Sequence, residues 1–169
     1  MEITLDKLLA SRDRRVEMQH QLRAKYPNST LVCLTVIMPG NIKRNLSSLI
    51  VSQAAINSLL GRFEGKIVDV ITRDLETGYE AYILTSLSQR EAKLIACDIE
   101  DNHPLGRLFD IDILDNDSVP LKREIVGSNP RRCLVCNNDA RYCMRNRTHT
   151  LQELNEQIQK MIDSYVQQL

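Results

Sequence analysis

The chain has 169 residues, enough for one domain with a true hydrophobic core. Hydrophobic residues make up 43% and charged residues 26%, a folded soluble composition that excludes intrinsic disorder. Lys plus Arg and Asp plus Glu each number 22, so bulk charge draws the chain to neither duplex nucleic acid nor an anionic membrane.

No apolar run approaches the roughly 18 residues of a spanning helix, and the opening MEITLDKLLASRDRR reverses the charge order of a secretory signal. The five cysteines are an odd number, and without a signal they read as reduced thiols or metal ligands. A cytoplasmic protein is expected.

Residues 5 to about 25 read as a helix, with Leu5, Leu8, Leu9, Val16 and Leu22 spaced three or four apart. Arg12 falls on that apolar stripe and Arg15 flanks it. A buried arginine there needs an anion, either a structural carboxylate or a ligand phosphate. Leu31 to Pro39 is a β-branched run suited to a central strand, broken by Pro39 and Gly40. A helix over Leu46 to Leu60, opened by Asn45, comes next. Strands over Lys66 to Thr72 and Tyr79 to Ser86 follow, parted by a turn around Thr77 and Gly78. Ser88 with Glu91 forms a capping box for a helix to about Asp101. Arg107 to Leu114 is then a strand with Phe109, Ile111 and Ile113 on one face and Leu108, Asp110 and Asp112 on the other. Thr150 and Glu153 cap a last helix whose stripe runs from Leu151 through Ile158 and Ile162 to Leu169.

The order between residues 30 and 115 is β-α-β-β-α-β. The predicted fold class is therefore α+β, a ferredoxin-like core with added N- and C-terminal helices. Such a core has a four-stranded antiparallel sheet with both of its helices on one face, and the terminal helices are available to cover the other. Residues 1–169 are read as a single domain, with an Arg/Cys-rich segment over 122–149 between the core (30–115) and the last helix (150–169).

Overall neutrality hides a local asymmetry. Asp98 to Asp117 holds seven carboxylates against Arg107, and Lys122 to Arg147 holds seven basic residues against Glu124 and Asp139. These are either solvated loops of opposite sign or the two halves of a metal-bridged polyphosphate site, where carboxylates hold the cation and guanidinium groups the phosphates. Asp110 and Asp112 lie roughly 6–7 Å apart on one strand face. Two such carboxylates repel, and a divalent cation relieves the repulsion. A D-x-D pair on a strand can hold Mg²⁺ for phosphoryl transfer, although exposed strands also carry alternating acids. The preceding Gly106 and Arg107 add a close-approach backbone and a phosphate-pairing fork. His103 precedes this element, either as a structural histidine or as an aid to proton removal.

The second constellation is Cys133-x2-Cys136-x6-Cys143-x5-His149. Three thiols and an imidazole at this spacing either close a structural Zn²⁺ site or pin a turn by ordinary packing. A redox CxxC lacks the strand-then-helix context it needs. Arg131, Arg132, Arg141, Arg145 and Arg147 interleave with these residues, so the segment reads as an anion clamp in either case. Aromatic residues at 4% argue against base-stacking recognition of single strands.

These strings together resemble the apo-citrate lyase phosphoribosyl-dephospho-CoA transferase family, also called holo-citrate lyase acyl-carrier-protein synthases. The resemblance spans nearly the whole chain. It is carried by Ser11-Arg12-Asp13-x-Arg15, Pro39-Gly40-x-x-Lys43 and Thr77-Gly78-x-Glu80. It continues in His103-Pro104-Leu105-Gly106-Arg107-x-x-Asp110-Ile111-Asp112, Arg131-Arg132-Cys133-Leu134-x-Cys136 and Cys143-x-Arg145-x-x-x-His149. It implies transfer of phosphoribosyl-dephospho-CoA from 2'-(5''-triphosphoribosyl)-3'-dephospho-CoA to a serine of the citrate lyase acyl carrier protein, the gamma subunit, with release of pyrophosphate. On that reading Asp110 and Asp112 hold Mg²⁺ and Glu80 supplies a third carboxylate, with Glu100 in reserve. Arg12, Arg15, Lys43, Arg107 and Arg132 surround the phosphates, and an acidic carrier docks on the basic segment from Lys122 to Arg147. The competing reading is a non-enzymatic zinc-stabilised module that binds a protein or single-stranded nucleic acid.

Overall fold

The computed structural model describes residues 2–169. Its elements in chain order are α1 (Leu5–Lys25), β1 (Thr30–Val36), α2 (Leu46–Arg62), β2 (Ile67–Leu75), β3 (Gly78–Thr85) and α3 (Gln89–Asn102). A 3₁₀ turn (Gly106–Leu108) leads into β4 (Phe109–Ile113), and a second 3₁₀ turn (Arg123–Val126) precedes α4 (Ala140–Asn146) and α5 (Leu151–Val166). Asn45 caps α2 with Ser48. Ser88 caps α3 with Glu91, and Thr150 caps α5 with Glu153, both in reciprocal capping boxes. These local rules act within a few residues, which is why the helix starts were legible in advance.

The four strands form one antiparallel sheet in the order β2-β3-β1-β4. The central strand β1 ends at Val36, short of the expected Pro39, because beyond it only the Ile37 N–H to Leu108 carbonyl bond continues the contact. The β2–β3 hairpin turns tightly, with Leu75 opposite Gly78, and Gly78 takes a left-handed φ of 121°.

One sheet face carries Val32, Leu34, Ala81, Ile83, Phe109, Ile111 and Ile113, packed against α2 and α3. Ile158 and Ile162 place α5 in this same helical layer. The helix expected to help cover the opposite face thus enlarges the layer beside α2 instead. Among the described residues α1 is the helix that meets the opposite face, and there the sequence expectation fails. Leu5 is 69% exposed and Val16 50% exposed, and the residues α1 buries are Ser11 and Leu22. The cause lies in the sheet. Under the first half of α1 it presents Glu80, so Ser11 and Arg15 face it, and only near Leu31, Cys33, Tyr82 and Leu84 does it turn apolar and receive Met18, Leu22 and Tyr26. Arg12 is accordingly exposed rather than buried.

Gly106 is needed by steric fit. A Cβ there would lie 2.5 Å from the carbonyl oxygens of Ile99 and Glu100, at the end of α3. The close approach seals the α3–β4 corner, and Gly106→Ala is expected to destabilise the protein by about 3 kcal/mol, the high end for overpacking a rigid site. A urea midpoint equal to that of the parent protein would refute this. No helix among the described residues is long and apolar enough to cross a membrane.

Candidate active site

As an edge strand, β4 needs partners for its outward backbone groups. The Glu100 carboxylate accepts the Ile111 N–H at 2.9 Å, and the Ile113 carbonyl accepts the Leu121 N–H at 2.8 Å. With Phe109, Ile111 and Ile113 committed to the core, alternation turns Asp110 and Asp112 to the α1 face of the sheet. Asp110 is half exposed. It accepts a 3.3 Å hydrogen bond from the Thr35 hydroxyl, and Arg131 approaches to 3.9 Å. Asp112 is more enclosed. Burial, and after it the Asp110 charge, pushes its carboxyl up to about 6.

A cavity of about 790 Å³ opens between β4, α3 and the chain after Pro120. Its wall includes Asp110, Asp112, Glu100, Lys93, Arg107 and Arg131. Carboxylates and cations therefore share one space, as a site for a metal-bound polyphosphate needs. Glu100 is buried and committed to structure. Besides the Ile111 N–H it takes Arg123 at 2.6 Å, while Arg123 also holds Asp101 at 2.5 Å and the Asn129 carbonyl at 2.8 Å. Burial raises the Glu100 carboxyl, and Arg131 is the first of the charges opposing that rise. Arg131 donates to the carbonyls of Gly106 (3.1 Å) and Arg107 (3.2 Å), and its Nε is buried without a hydrogen-bond partner. Arg107 forms no ion pair among the described residues. Burial, then the neighbouring Arg131 charge, lowers its pKa, so it is a cation that gains from an anionic ligand.

The other residues singled out from the sequence form a second group. Glu80, Thr35 and Asp110 stand in one cross-strand row, so Glu80 shares a sheet face with the aspartates about 10 Å away. It does not line the cavity. It is 2% exposed and bound by Arg15 at 3.1 Å, Arg73 at 3.7 Å and the Tyr82 hydroxyl at 2.8 Å. Ser11 meets Thr77 at 2.9 Å, tying α1 to the β2–β3 turn. Lys43 donates to the Met38 carbonyl, and burial followed by the Arg12 charge lowers its pKa. The first three family strings thus converge around Glu80.

His103 lies apart from the cavity. Its ring packs on Phe109 (4.9 Å) and Tyr165 (5.5 Å), its Nδ1 accepts the Leu105 N–H at 3.0 Å, and burial lowers its pKa. Arg132 faces away from the cavity and donates to the Asn137 carbonyl at 2.8 Å. Arg131, one residue earlier on an extended stretch, points inward, an alternation the motif alone does not resolve.

Cys133, Cys136, Cys143 and His149 converge. One ligand atom from each lies within 4.8 Å of all the others, and no other group of three or more such residues does so among the described residues. Cys136 Sγ is 3.5 Å from Cys143 Sγ and 3.3 Å from His149 Nε2. Ligands around a tetrahedral zinc with 2.3 Å bonds stand about 3.8 Å apart, so the four residues can hold such a metal. A tight turn closed by Cys133 N–H on the Asn138 carbonyl supplies the first pair of cysteines. Asp139 caps α4, which carries Cys143, and Arg147 in left-handed conformation returns the chain to His149. Burial would raise the Cys133 thiol, but the N–H groups of Val135 and Cys136 and the adjacent thiols hold it down at about 7. Cys133, Cys143 and His149 also line the cavity, so this cluster is part of its wall.

Sequence reasoning passed over Lys93 and Arg123. A usable signal was present for Lys93. It lies seven residues before Glu100, two helical turns, beside the Ala92–Ala96–Ile99 stripe that α3 buries.

The chain matches the family described as apo-citrate lyase phosphoribosyl-dephospho-CoA transferase over residues 3–165. It is 34% identical to a Streptococcus pyogenes protein named probable apo-citrate lyase phosphoribosyl-dephospho-CoA transferase, over 96% of this chain and 87% of that protein. An Escherichia coli protein named apo-citrate lyase phosphoribosyl-dephospho-CoA transferase is 32% identical over 95% of this chain and 89% of its own length. The protein CitXG of Haemophilus influenzae is 33% identical over 97% of this chain, which spans only 36% of that longer relative. These matches take in the sheet, the cavity wall and the cysteine–histidine segment together, and on them the chain belongs to the apo-citrate lyase phosphoribosyl-dephospho-CoA transferase family.

Proposed function

We propose that the cavity beside Asp110 and Asp112 is where this chain carries out the transfer its family is named for, delivering phosphoribosyl-dephospho-CoA to the acyl carrier protein of apo-citrate lyase. The observation that carries this reading is the meeting of two adjacent carboxylates, neither consumed in a close ion pair, with Arg107 and Arg131 in one 790 Å³ space. The donor is the triphosphoribosyl-dephospho-CoA. A serine oxygen of the carrier bonds to the phosphorus next to the ribose, the bond to pyrophosphate breaks, and the hydroxyl proton passes to solvent.

Hard carboxylate oxygens facing a cavity of about 790 Å³ that also holds arginines fit Mg²⁺ with a polyphosphate, and the ion would supply charge neutralisation at the triphosphate and a more acidic incoming hydroxyl. The remaining work falls to the chain itself. Arg107 and Arg131 offset charge on the departing pyrophosphate, since phosphoryl transfer is mostly positioning and charge stabilisation. Glu100, fixed by Arg123, holds β4 and keeps the aspartates presented. Arg15 and Glu80 form a charged pair that anchors α1 to the same sheet face, with Arg12 and Lys43 at its rim available to the nucleotide part of the donor. Exposed Arg141, Arg145 and Arg147 offer a docking surface to an acidic carrier.

The cysteine–histidine cluster is read as a structural Zn²⁺ site. All four ligand positions are filled by protein, three of them soft thiolates, and no position is left for a substrate. The strand order β2-β3-β1-β4, with α2 and α3 on one face, supports a ferredoxin-like reading of the core. A zinc-stabilised binding module without catalysis is not favoured, because it gives no reason for paired acids and arginines to share a cavity.

The deciding experiment incubates apo-carrier protein with the donor, Mg²⁺ and the purified chain. A mass increase on the carrier equal to the phosphoribosyl-dephospho-CoA group, with stoichiometric pyrophosphate, is expected. A carrier of unchanged mass refutes the reading.

A further inference from the structure

Lys93 is 4% exposed, projects from α3 and lines the cavity. Among the described residues its ammonium takes part in no ion pair within 4.0 Å and no hydrogen bond, whereas Arg123 and Arg131 on the same wall are held by carboxylates and carbonyls. Glu100, two turns along the same helix face, is already occupied by Arg123 and the Ile111 N–H. Asp112 feels the Lys93 charge without bonding to it. Enclosing an unpaired ammonium is costly, and a lysine stem is long and flexible enough to escape to solvent where nothing holds it. Its retention in a cavity whose charged wall residues include Arg107, Arg131, Asp110 and Asp112, with apolar side chains such as Ile111 and Leu121 between them, calls for an anion that arrives with a ligand.

We propose that Lys93 is a catalytic residue whose ammonium contacts a phosphate oxygen of the donor's triphosphate and stays with the pyrophosphate as it leaves. This rests on the transferase reading of the cavity and adds to it the group that reads the leaving phosphates. Lysine suits the task because its compact charge can follow an oxygen that moves, while a guanidinium fork fixes one geometry. The competing structural role, a loose counter-charge for Asp112 and Glu100, makes opposite predictions about stability.

The test compares the parent protein with Lys93→Met and Lys93→Gln, using Mg²⁺ with inorganic pyrophosphate as the probe. Removing an unpaired charge from the cavity wall is expected to leave the ligand-free melting temperature unchanged or higher in at least one of the two variants. Pyrophosphate affinity by calorimetry is expected to fall roughly tenfold to hundredfold, the worth of one charge-assisted hydrogen bond. The melting shift that pyrophosphate gives the parent shrinks accordingly. Melting temperatures lowered in both variants with pyrophosphate affinity unchanged would overturn the proposal, as would a parent protein that binds no pyrophosphate. Loss of pyrophosphate binding in the variants supports the Lys93 assignment even where the carrier gains no mass, so the two readings fail separately.

Discussion

Replacing Asp112 by Asn, or Asp110 by Ala, lowers transfer to the carrier by roughly a thousandfold or more, as expected when preorganised charge stabilisation at a phosphoryl centre is lost. The fold survives, because both side chains turn away from the main core formed by Phe109, Ile111 and Ile113. Asp112→Asn should also be more stable than the parent. In the folded protein the Asp112 carboxyl releases its proton near 6, and in the unfolded chain at its ordinary value of 3.8. Between those values the folded state binds more protons, so parent stability falls as pH rises through the window and levels off above it. Asparagine carries no such loss, which gives the variant an advantage of about 2–3 kcal/mol at pH 7 that fades below about pH 4. Urea midpoints of both proteins over a pH series in Mg²⁺-free buffer measure this. An Asn variant with near-normal transfer, or one less stable at neutral pH, would remove the case for an active pair.

Cys136→Ser and His149→Ala are expected to abolish a stoichiometric zinc content, about one ion per chain in the parent. Structural zinc binding is worth on the order of 10 kcal/mol to the element it closes. Without it, the short turn at 133–138 and the seven-residue α4 have too little apolar packing to stay formed. Residues 131–149 then become sensitive to protease, and transfer is lost with the cavity wall that Arg131 and Arg141 build. The sheet should persist, since its core lies in β1, β3, β4, α2 and α3. Cys33 and Cys97, buried elsewhere, serve as controls whose Ser variants keep the metal. Elemental analysis and limited proteolysis read the outcome. Full zinc occupancy in Cys136→Ser, or an unaltered digestion pattern, would defeat the assignment.

Local chemistry foretold much of the molecule. The caps at Asn45, Ser88 and Thr150, the turn at Gly78 and the two-residue alternation of β4 all act over a span of a few residues, and each is found where neighbouring side chains dictate it. The same alternation put Asp110 and Asp112 on one face before any sheet was in view. Spacing alone left the cysteine–histidine cluster open, because its x6 and x5 gaps resemble no standard zinc finger. Only the folding back of α4 and the left-handed Arg147 bring Cys143 and His149 within reach of the first pair.

What the sequence by itself determined was the element order, the helix starts, the paired acids and the membership of residues in family strings. All of these are set by interactions between residues close in the chain. Pairing across the chain was decided by tertiary structure alone. Glu80 is expected from the sequence as a third catalytic carboxylate, yet folding brings Arg15 from 65 residues away to bind it, and His103 is drawn onto Phe109 and Tyr165 rather than to the cavity. The α1 stripe failed for the same reason, since a helix buries whichever side its sheet can accept, and here the sheet offers a carboxylate. Lys93 and Arg123 became visible as site residues only when α3, β4 and the segment after Pro120 closed around one space, because enclosure is a property of the packed whole and is hard to read from the spacing of residues.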